Sequence, residues 1–172
     1  MNDVHQLLGS SPADSSDWIR RLDESAVPEV KSYSDVVYFN YATLGLSLLF
    51  TPSDAYKLKA GMQRSELDDT HLVVDSIDLY NTSTKTFKAF PVSPIIVNRL
   101  EITKDMDGKK FVAALGEPDR KGGGTGPSSG SINIWCEWSK VGIHVELEAS
   151  GPQAWEHGKD AVWKVLTVFR VK

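Results

Sequence analysis

Three side chains of metal-ligand type stand at alternate positions in one segment of the chain. His144, Glu146 and Glu148 are each two residues apart, and side chains at this spacing project from the same face of a β-strand. An imidazole and two carboxylates on one face could hold a divalent cation. The same pattern is typical of the water-facing side of an ordinary strand whose other face, beginning at Ile143, covers a core. We prefer this second interpretation and predict no metal site.

Other reactive side chains lie in settings that do not favour catalysis. Cys136 stands in mid-strand between Trp135 and Glu137, whereas an activated thiolate needs a helix N-terminus or a cationic neighbour. The glycine-rich stretch 121–130 leaves a predicted helix and enters a strand, while phosphate-binding loops run from a strand into a helix. We interpret this stretch as a flexible loop. The chain is therefore predicted not to be an enzyme and to use no cofactor.

Aromatic side chains mark one face of the predicted strands. Tyr38, Trp135 and Trp163 are expected on the sheet face that turns away from the helices. An antiparallel sheet can leave that face open to water, and exposed aromatic rings favour recognition because they bury much area at small entropic cost. We predict a binding surface formed by these three rings and rimmed by His144 and Glu146. The alternative is that a second layer of structure covers the rings.

The elements that must position these residues occur twice in the chain. Each half reads as a short helix, a loop, an aromatic strand, a tight glycine turn, an apolar strand and a further strand. The matching segments are Leu44–Phe50 with Val141–Leu147 at an offset of 97, Trp18–Leu22 with Phe111–Leu115 at 93, and Ile77–Tyr80 with Leu166–Phe169 at 89. A duplicated unit explains this order better than chance recurrence.

This order predicts the α+β class, with two tandem repeats that each pack a short helix on an antiparallel sheet of three to four strands. Residues 1–16 are predicted to be a flexible segment, residues 17–92 the first helix-plus-sheet repeat and residues 93–172 the second. The first helix is expected from about Trp18 to Ala26. The second is expected to stop at Gly116, because glycine commonly ends helices.

The composition is that of a globular protein. In 172 residues, hydrophobic types make up 41% and charged types 24%, as is usual for a folded domain. The formal net charge of −4 argues against nucleic acid as a partner, since binding a polyanion needs a basic surface. A single cysteine excludes an internal disulfide, and the sequence shows neither a secretory leader nor a long apolar run. We expect a cytoplasmic monomer or homodimer without membrane insertion.

Two segments resemble known families. A helix ending in Leu-Gly-Glu-Pro at residues 115–118 is followed by an aromatic strand, and residues 41–50 read Tyr-Ala-Thr-Leu-Gly-Leu-Ser-Leu-Leu-Phe. This combination is similar to the repeat units of the β-lactamase inhibitory protein and of the small outer-membrane assembly lipoproteins. It also resembles the eukaryotic phagophore-assembly factor family, whose repeats contain a comparable Tyr-x-x-Leu-Gly-Leu-x-x-Leu-Phe stretch.

The resemblance implies a helix-on-antiparallel-sheet fold and proteins that act by binding other macromolecules. The chain departs from the inhibitory protein in having neither a signal peptide nor cysteine pairs, and from the lipoproteins in having no lipidation cysteine. No binding residue is carried over from these families.

The predicted function is a non-catalytic protein-interaction module whose partner is another protein. The alternative is a small apolar ligand or lipid held between the sheet and the helices. That alternative requires a continuous cavity of at least about 300 Å³ lined by aromatic side chains.

Overall fold

A computed structural model describes residues 3–126 and 130–172 of the chain. In these residues there are three short α-helices, α1 Pro12–Arg20, α2 Gly108–Leu115 and α3 Ala154–His157. The strands are β1 Glu29–Ser32, β2 Val37–Tyr41, β3 Leu46–Pro52, β4 Leu72–Tyr80, β5 Ile95–Val97, β6 Leu100–Ile102, β7 Arg120–Gly126, β8 Gly130–Trp138, β9 Ile143–Ser150 and β10 Trp163–Phe169.

Eight of these strands form one antiparallel sheet in the order β1-β2-β3-β4-β10-β9-β8-β7, and β5 pairs with β6 in a separate hairpin. The α+β class and the antiparallel sheet are confirmed. The four strands of the first half (through β4) and the four of the second half (from α2 onward) do not form two separate sheets. They join at the centre, where the last strands of the two halves, β4 and β10, pair with each other.

Helix α1 begins six residues earlier than the sequence predicted. The Ser11 hydroxyl accepts a hydrogen bond from the backbone N–H of Asp14, and Pro12 occupies the first helical position. Proline is preorganised for that position and serine is a strong N-cap, so this pair outweighs the later serines as a start signal. The predicted boundary of the flexible segment at residue 16 therefore falls inside α1, which ends at Arg20 and not near Ala26.

Helix α2 ends as predicted at Gly116, which has a positive φ of 83°. The glycine-rich stretch that follows is not a flexible loop over its described part, since residues 121–126 belong to edge strand β7. Gly122 lies against the indole ring of Trp135, where a Cβ atom would collide with the ring. Glycine here serves close packing of the edge strand on its neighbour. Residues 127–129 of the predicted loop lie outside the described residues.

The two halves pair their strands in the same register. Tyr38 lies opposite Leu49 in the first half, and Trp135 lies opposite Glu146 in the second, which is an offset of 97 (135 minus 38). The same offset relates Phe39–Leu48 to Cys136–Val145, Asn40–Ser47 to Glu137–His144, and Tyr41–Leu46 to Trp138–Ile143. An irregularity in the β3–β4 ladder recurs in the β9–β10 ladder.

The register of the central β4–β10 ladder also matches the offset that relates these two strands in the sequence. Asp78 of β4 lies opposite Thr167 of β10, and the difference of 89 (167 minus 78) is the offset that relates these two strands in the sequence. Asp78 and Thr167 therefore occupy corresponding positions in the two halves.

One face of the sheet is covered by the helices, the β5–β6 hairpin and the segment 55–70, and this side holds the hydrophobic core. Leu58 and Leu67 of that segment are buried in the core, and the Arg64 guanidinium lies 5.2 Å from the centre of the Phe39 ring. The segment 55–70 thus covers the helix side of the sheet and leaves the opposite face open.

The N-terminal segment packs against the hairpin. The Asp3 carboxylate accepts hydrogen bonds from the backbone N–H groups of Asn98 (2.8 Å) and Arg99 (2.9 Å) in the β5–β6 turn, and Val4 and Leu7 are buried. Among residues 3–126 and 130–172, no helix has the length and apolar character needed to cross a bilayer.

Candidate binding surface on the open sheet face

A row of polar side chains crosses the sheet face that turns away from the helices, which we term the open face. Each residue of this polar row is the ladder partner of the next, and together they pass through all eight strands. In strand order the polar row is Glu29, Asn40, Ser47, Asp78, Thr167, His144, Glu137 and Arg120. The residues between them along each strand point into the core, because side chains alternate across a strand.

The centre of the polar row is a hydrogen-bonded pair from the two central strands. The Thr167 hydroxyl donates to Oδ1 of Asp78 at 2.6 Å. Burial raises the pKa of Asp78, and the Thr167 hydrogen bond and the nearby His144 oppose that rise without cancelling it. Beside this pair, the Ser47 hydroxyl donates to Oδ1 of Asn40 at 2.6 Å. The middle of the open face thus consists of short polar side chains that are already bonded to one another.

The second half of the polar row is charged. Glu137 lies 3.2 Å from His144 Nδ1, accepts a hydrogen bond from Arg120 at 3.2 Å and accepts another from the Ser139 hydroxyl at 2.8 Å. Burial acts to raise the pKa of Glu137, but the hydrogen bonds from Ser139 and His144 outweigh it and the pKa lies below its ordinary value. This carboxylate is therefore held ionised within a network of donors.

Aromatic rings lie on both sides of the polar row, with one group in each half of the sheet. In the second half, the Trp135 indole stacks on the His144 imidazole with ring centres 4.9 Å apart, and the Arg120 guanidinium lies 5.9 Å from the indole. In the first half, Tyr38 meets Tyr33 edge-to-face at 6.0 Å. These ring contacts favour particular side-chain orientations, so less side-chain entropy is lost on binding than for an isolated ring.

Tyr80 forms a further aromatic pair at the edge of the open face. Its ring stacks on that of Phe87 at 4.3 Å. Burial, with the charges of Asp78 and Glu146 nearby, raises the pKa of Tyr80 to about 12. Its phenol is therefore a hydrogen-bond donor over the whole physiological pH range.

Two depressions open onto the polar row and meet at Asp78. The larger has a volume of about 530 Å³ and lies in the first half, between Tyr38 and Phe87. The smaller has a volume of about 240 Å³ and lies in the second half, between Trp135 and Val165. The two depressions share Asp78 as a lining residue, so Asp78 lies at the centre of the concave part of the open face.

The structure brings four of the five predicted binding residues together on the open face. Tyr38, Trp135, His144 and Glu146 are all half-buried there, and Glu146 accepts a hydrogen bond from Asn133 at 3.2 Å.

The prediction for Trp163 is wrong. Its side chain is only 1% exposed and points into the core, where its indole N–H donates to the Thr103 carbonyl at 2.8 Å. The cause is the irregular step in β10 between Trp163 and Val165. An extra residue at such a step reverses which face the following side chains take.

The sequence alone does not identify the centre of the candidate site. It shows Asp75 and Asp78 as a carboxylate pair in polar surroundings that give no reason for a raised pKa, and burial of Asp78 overturns that expectation. Thr167 and Asn40 are common residues in unremarkable contexts and are not singled out. A signal was present in the duplicated pattern, since Asp78 and Thr167 are separated by the offset that aligns their strands. If the last strands of two matching halves pair in antiparallel fashion, the residue at the midpoint of their ladder lies opposite its counterpart in the other strand, as Asp78 and Thr167 do.

The candidate catalytic and metal-ligating residues are dispersed. His144 lies on the open face, whereas Cys136 lies on the helix side of the same sheet, and burial raises the pKa of its thiol despite the opposing charge of Lys121. His157 lines a separate depression beside α3. In the part of the chain that the structure describes, no three His, Cys, Asp or Glu side chains converge in a way that would hold a metal ion.

Comparisons with protein-family models, with curated proteins and with solved structures found no match for this chain. The resemblance carried by residues 41–50 and 115–118 therefore stays a prediction.

Proposed function

We propose that the chain is a non-catalytic interaction module that binds another protein through its open face. The observation that carries this proposal is the polar row across all eight strands, flanked by aromatic rings that pack on neighbouring side chains. Protein-binding surfaces commonly combine anchoring aromatic residues with polar groups that set the orientation of the partner. Both components are present on one continuous face here.

The charges of the open face indicate the chemistry of the partner. Asp78, Glu137 and Glu146 present carboxyl groups along or beside the polar row, and Arg120 is the basic residue at its end. A partner segment rich in hydrogen-bond donors, such as lysine, arginine or amide side chains, would complement this surface. Trp135 and Tyr38 would supply the apolar contact area at the two ends of the interface.

We further propose that this surface is assembled from two tandem helix-plus-sheet repeats, residues 17–92 and 93–172. The matching registers of the β2–β3–β4 and β8–β9–β10 ladders support this view. Under this proposal, Tyr38 and Trp135 are equivalent anchors, because they are ladder counterparts at an offset of 97 (135 minus 38).

A photo-crosslinking experiment tests the proposal. A benzoylphenylalanine placed at Leu49, which is half-buried on the open face, should capture a partner that mass spectrometry can identify. The same probe at Val27, which is 82% exposed in a loop, should not capture it. Trp135→Ala and Tyr38→Ala should each reduce the crosslinked product about tenfold or more, as expected for an anchoring aromatic residue.

The matched control is Trp155→Ala, which removes an indole that is 44% exposed on the helix side. That variant should leave the crosslink unchanged. The melting temperature of Trp135→Ala should stay within a few degrees of the wild type, which separates lost binding from lost folding. Equal crosslinking by the wild type and by both open-face variants would overturn the proposal.

A further inference from the structure

An apolar groove lies on the helix side of the second half, away from the open face. It has a volume of about 280 Å³, with Ile134, Cys136 and Leu147 of the sheet as its floor and Val112 and Trp155 in its walls. We call it the helix-side groove. Its volume is below the roughly 300 Å³ expected for the alternative function, so a ligand held there must be smaller than a drug-sized molecule. Trp155 is the aromatic residue among those that line it.

The groove exists because two side chains are smaller than their counterparts in the first half. Cys136 and Leu147 correspond to Phe39 and Phe50 at the offset of 97 (136 minus 39 and 147 minus 50). In the first half both phenylalanines are fully buried, with ring centres 4.6 Å apart. Protein interiors are normally close-packed. The space that these rings fill in the first half is left open in the second.

The rim of the groove is basic. Lys109 and Lys159 line it, and the Lys121 ammonium lies 5.4 Å from the centre of the Trp155 ring. Lys109 is paired with Asp160 at 2.9 Å. Over residues 3–126 and 130–172, no carboxylate lies within ion-pair distance of Lys121 or Lys159. Lys159 in the lining and Lys121 beside Trp155 therefore form no ion pair within these residues and could meet an anion at the mouth of the groove, although the charge of Asp160 acts on Lys159 as well as on Lys109.

We propose that the helix-side groove binds a medium-chain fatty acid. Its acyl chain would lie over Cys136 and Leu147, and its carboxylate would meet Lys121 and Lys159. The small volume fits a single chain, and the basic rim selects an anionic head group over a neutral or cationic one. The half-exposed Trp155 supplies apolar surface where the chain enters. This inference is independent of the partner bound at the open face.

The proposal is tested by titrating the full chain with laurate below its micellar concentration and measuring displacement of a fluorescent fatty acid. Laurate should bind the wild type, whereas methyl laurate and dodecylamine, which carry the same twelve-carbon chain without a carboxylate, should bind at least tenfold more weakly. The Lys121→Gln/Lys159→Gln double variant should weaken laurate binding by a similar factor. The control pair Lys57→Gln/Lys85→Gln removes two exposed lysines elsewhere and should have no effect.

Filling the groove tests its location. Cys136→Phe introduces the ring that Phe39 provides in the first half and should abolish laurate binding. Val112→Phe, which fills the groove from helix α2, provides a second test if the first variant folds poorly. Trp135→Ala should bind laurate normally, which distinguishes this site from the open face. The proposal is overturned if the folded wild type does not bind laurate, if both filled variants bind it unchanged, or if an acidic amphipathic peptide occupies the groove while laurate does not.

Discussion

Asp78 carries a carboxyl group at the centre of the open face, where burial raises its pKa above the ordinary value of 3.8. The native state therefore holds this proton more tightly than the unfolded chain does. The stabilisation that follows is complete below pH 3.8 and is lost as the pH rises through the higher native pKa. Ionised Asp78 thus opposes folding at neutral pH, which is a reason to look for a role in binding.

Asp78→Asn should remove this pH dependence. An asparagine can still accept the hydrogen bond from Thr167, so the variant should become more stable relative to the wild type as the pH rises above 3.8. Urea denaturation at several pH values measures the difference. Asp35→Asn, an exposed residue near the same face, is the control. Parallel plots of unfolding free energy against pH for the wild type and Asp78→Asn would contradict the interpretation.

Two tight turns hold the strands of each half at the required spacing. Gly45 has a φ of 62° and Gly142 a φ of 70°, and they occupy matching positions after β2 and β8. An added Cβ at Gly45 would collide with the Lys88 carbonyl, and one at Gly142 with the Phe169 carbonyl. Each glycine is needed both for its left-handed backbone and for the close approach of a second segment.

Alanine at either of these glycines should lower the free energy of unfolding by more than about 2 kcal/mol, because backbone strain and a clash with main-chain atoms add together. Gly61→Ala is the matched control, since its φ is 76° and no atom lies within 4 Å of the added Cβ. That variant should lose only about 1 kcal/mol. Chemical denaturation compares the three, and equal losses would show that the clash is relieved by local movement.

The sequence predicted the strands around Phe39 and Val145, because β-branched and aromatic residues alternate clearly there, but it did not predict β1, β5, β6 or β7. It failed where a local signal was overridden. The start of α1 was missed because several serines and aspartates compete as caps near Ser11. The face of Trp163 was missed because an irregular step in a ladder depends on the paired strand and leaves no mark in the strand itself.

At the level of the whole molecule, β4 and β10 pair along the centre of the sheet and join the two halves through one continuous core. The Asn81 side chain strengthens this junction by donating to the Lys104 and Trp163 carbonyls, each at 2.8 Å. Neither half can leave the other without exposing the buried apolar residues of a central strand. The sequence repeats alone did not predict that the halves share one sheet.

Unfolding should therefore be a single cooperative transition. Four of the five tryptophans lie in the second half, so fluorescence reports mainly on that half, while circular dichroism reports on all strands and helices. The two signals should give the same urea midpoint. Two separated midpoints would show that the halves fold independently and that the central pairing contributes little.

The two halves of the polar row differ in the charge of their side chains. Its first half passes through the uncharged Asn40 and Ser47, whereas the matching positions of its second half hold Glu137 and His144. An extended segment laid along the row would meet the Glu29 carboxylate and then amide and hydroxyl groups in the first half, and the His144, Glu137 and Arg120 side chains in the second. Such a segment could not be reversed without losing its complementarity to these side chains. The open face would therefore bind an extended peptide in only one chain direction, even though the strands of the two halves pair in matching registers.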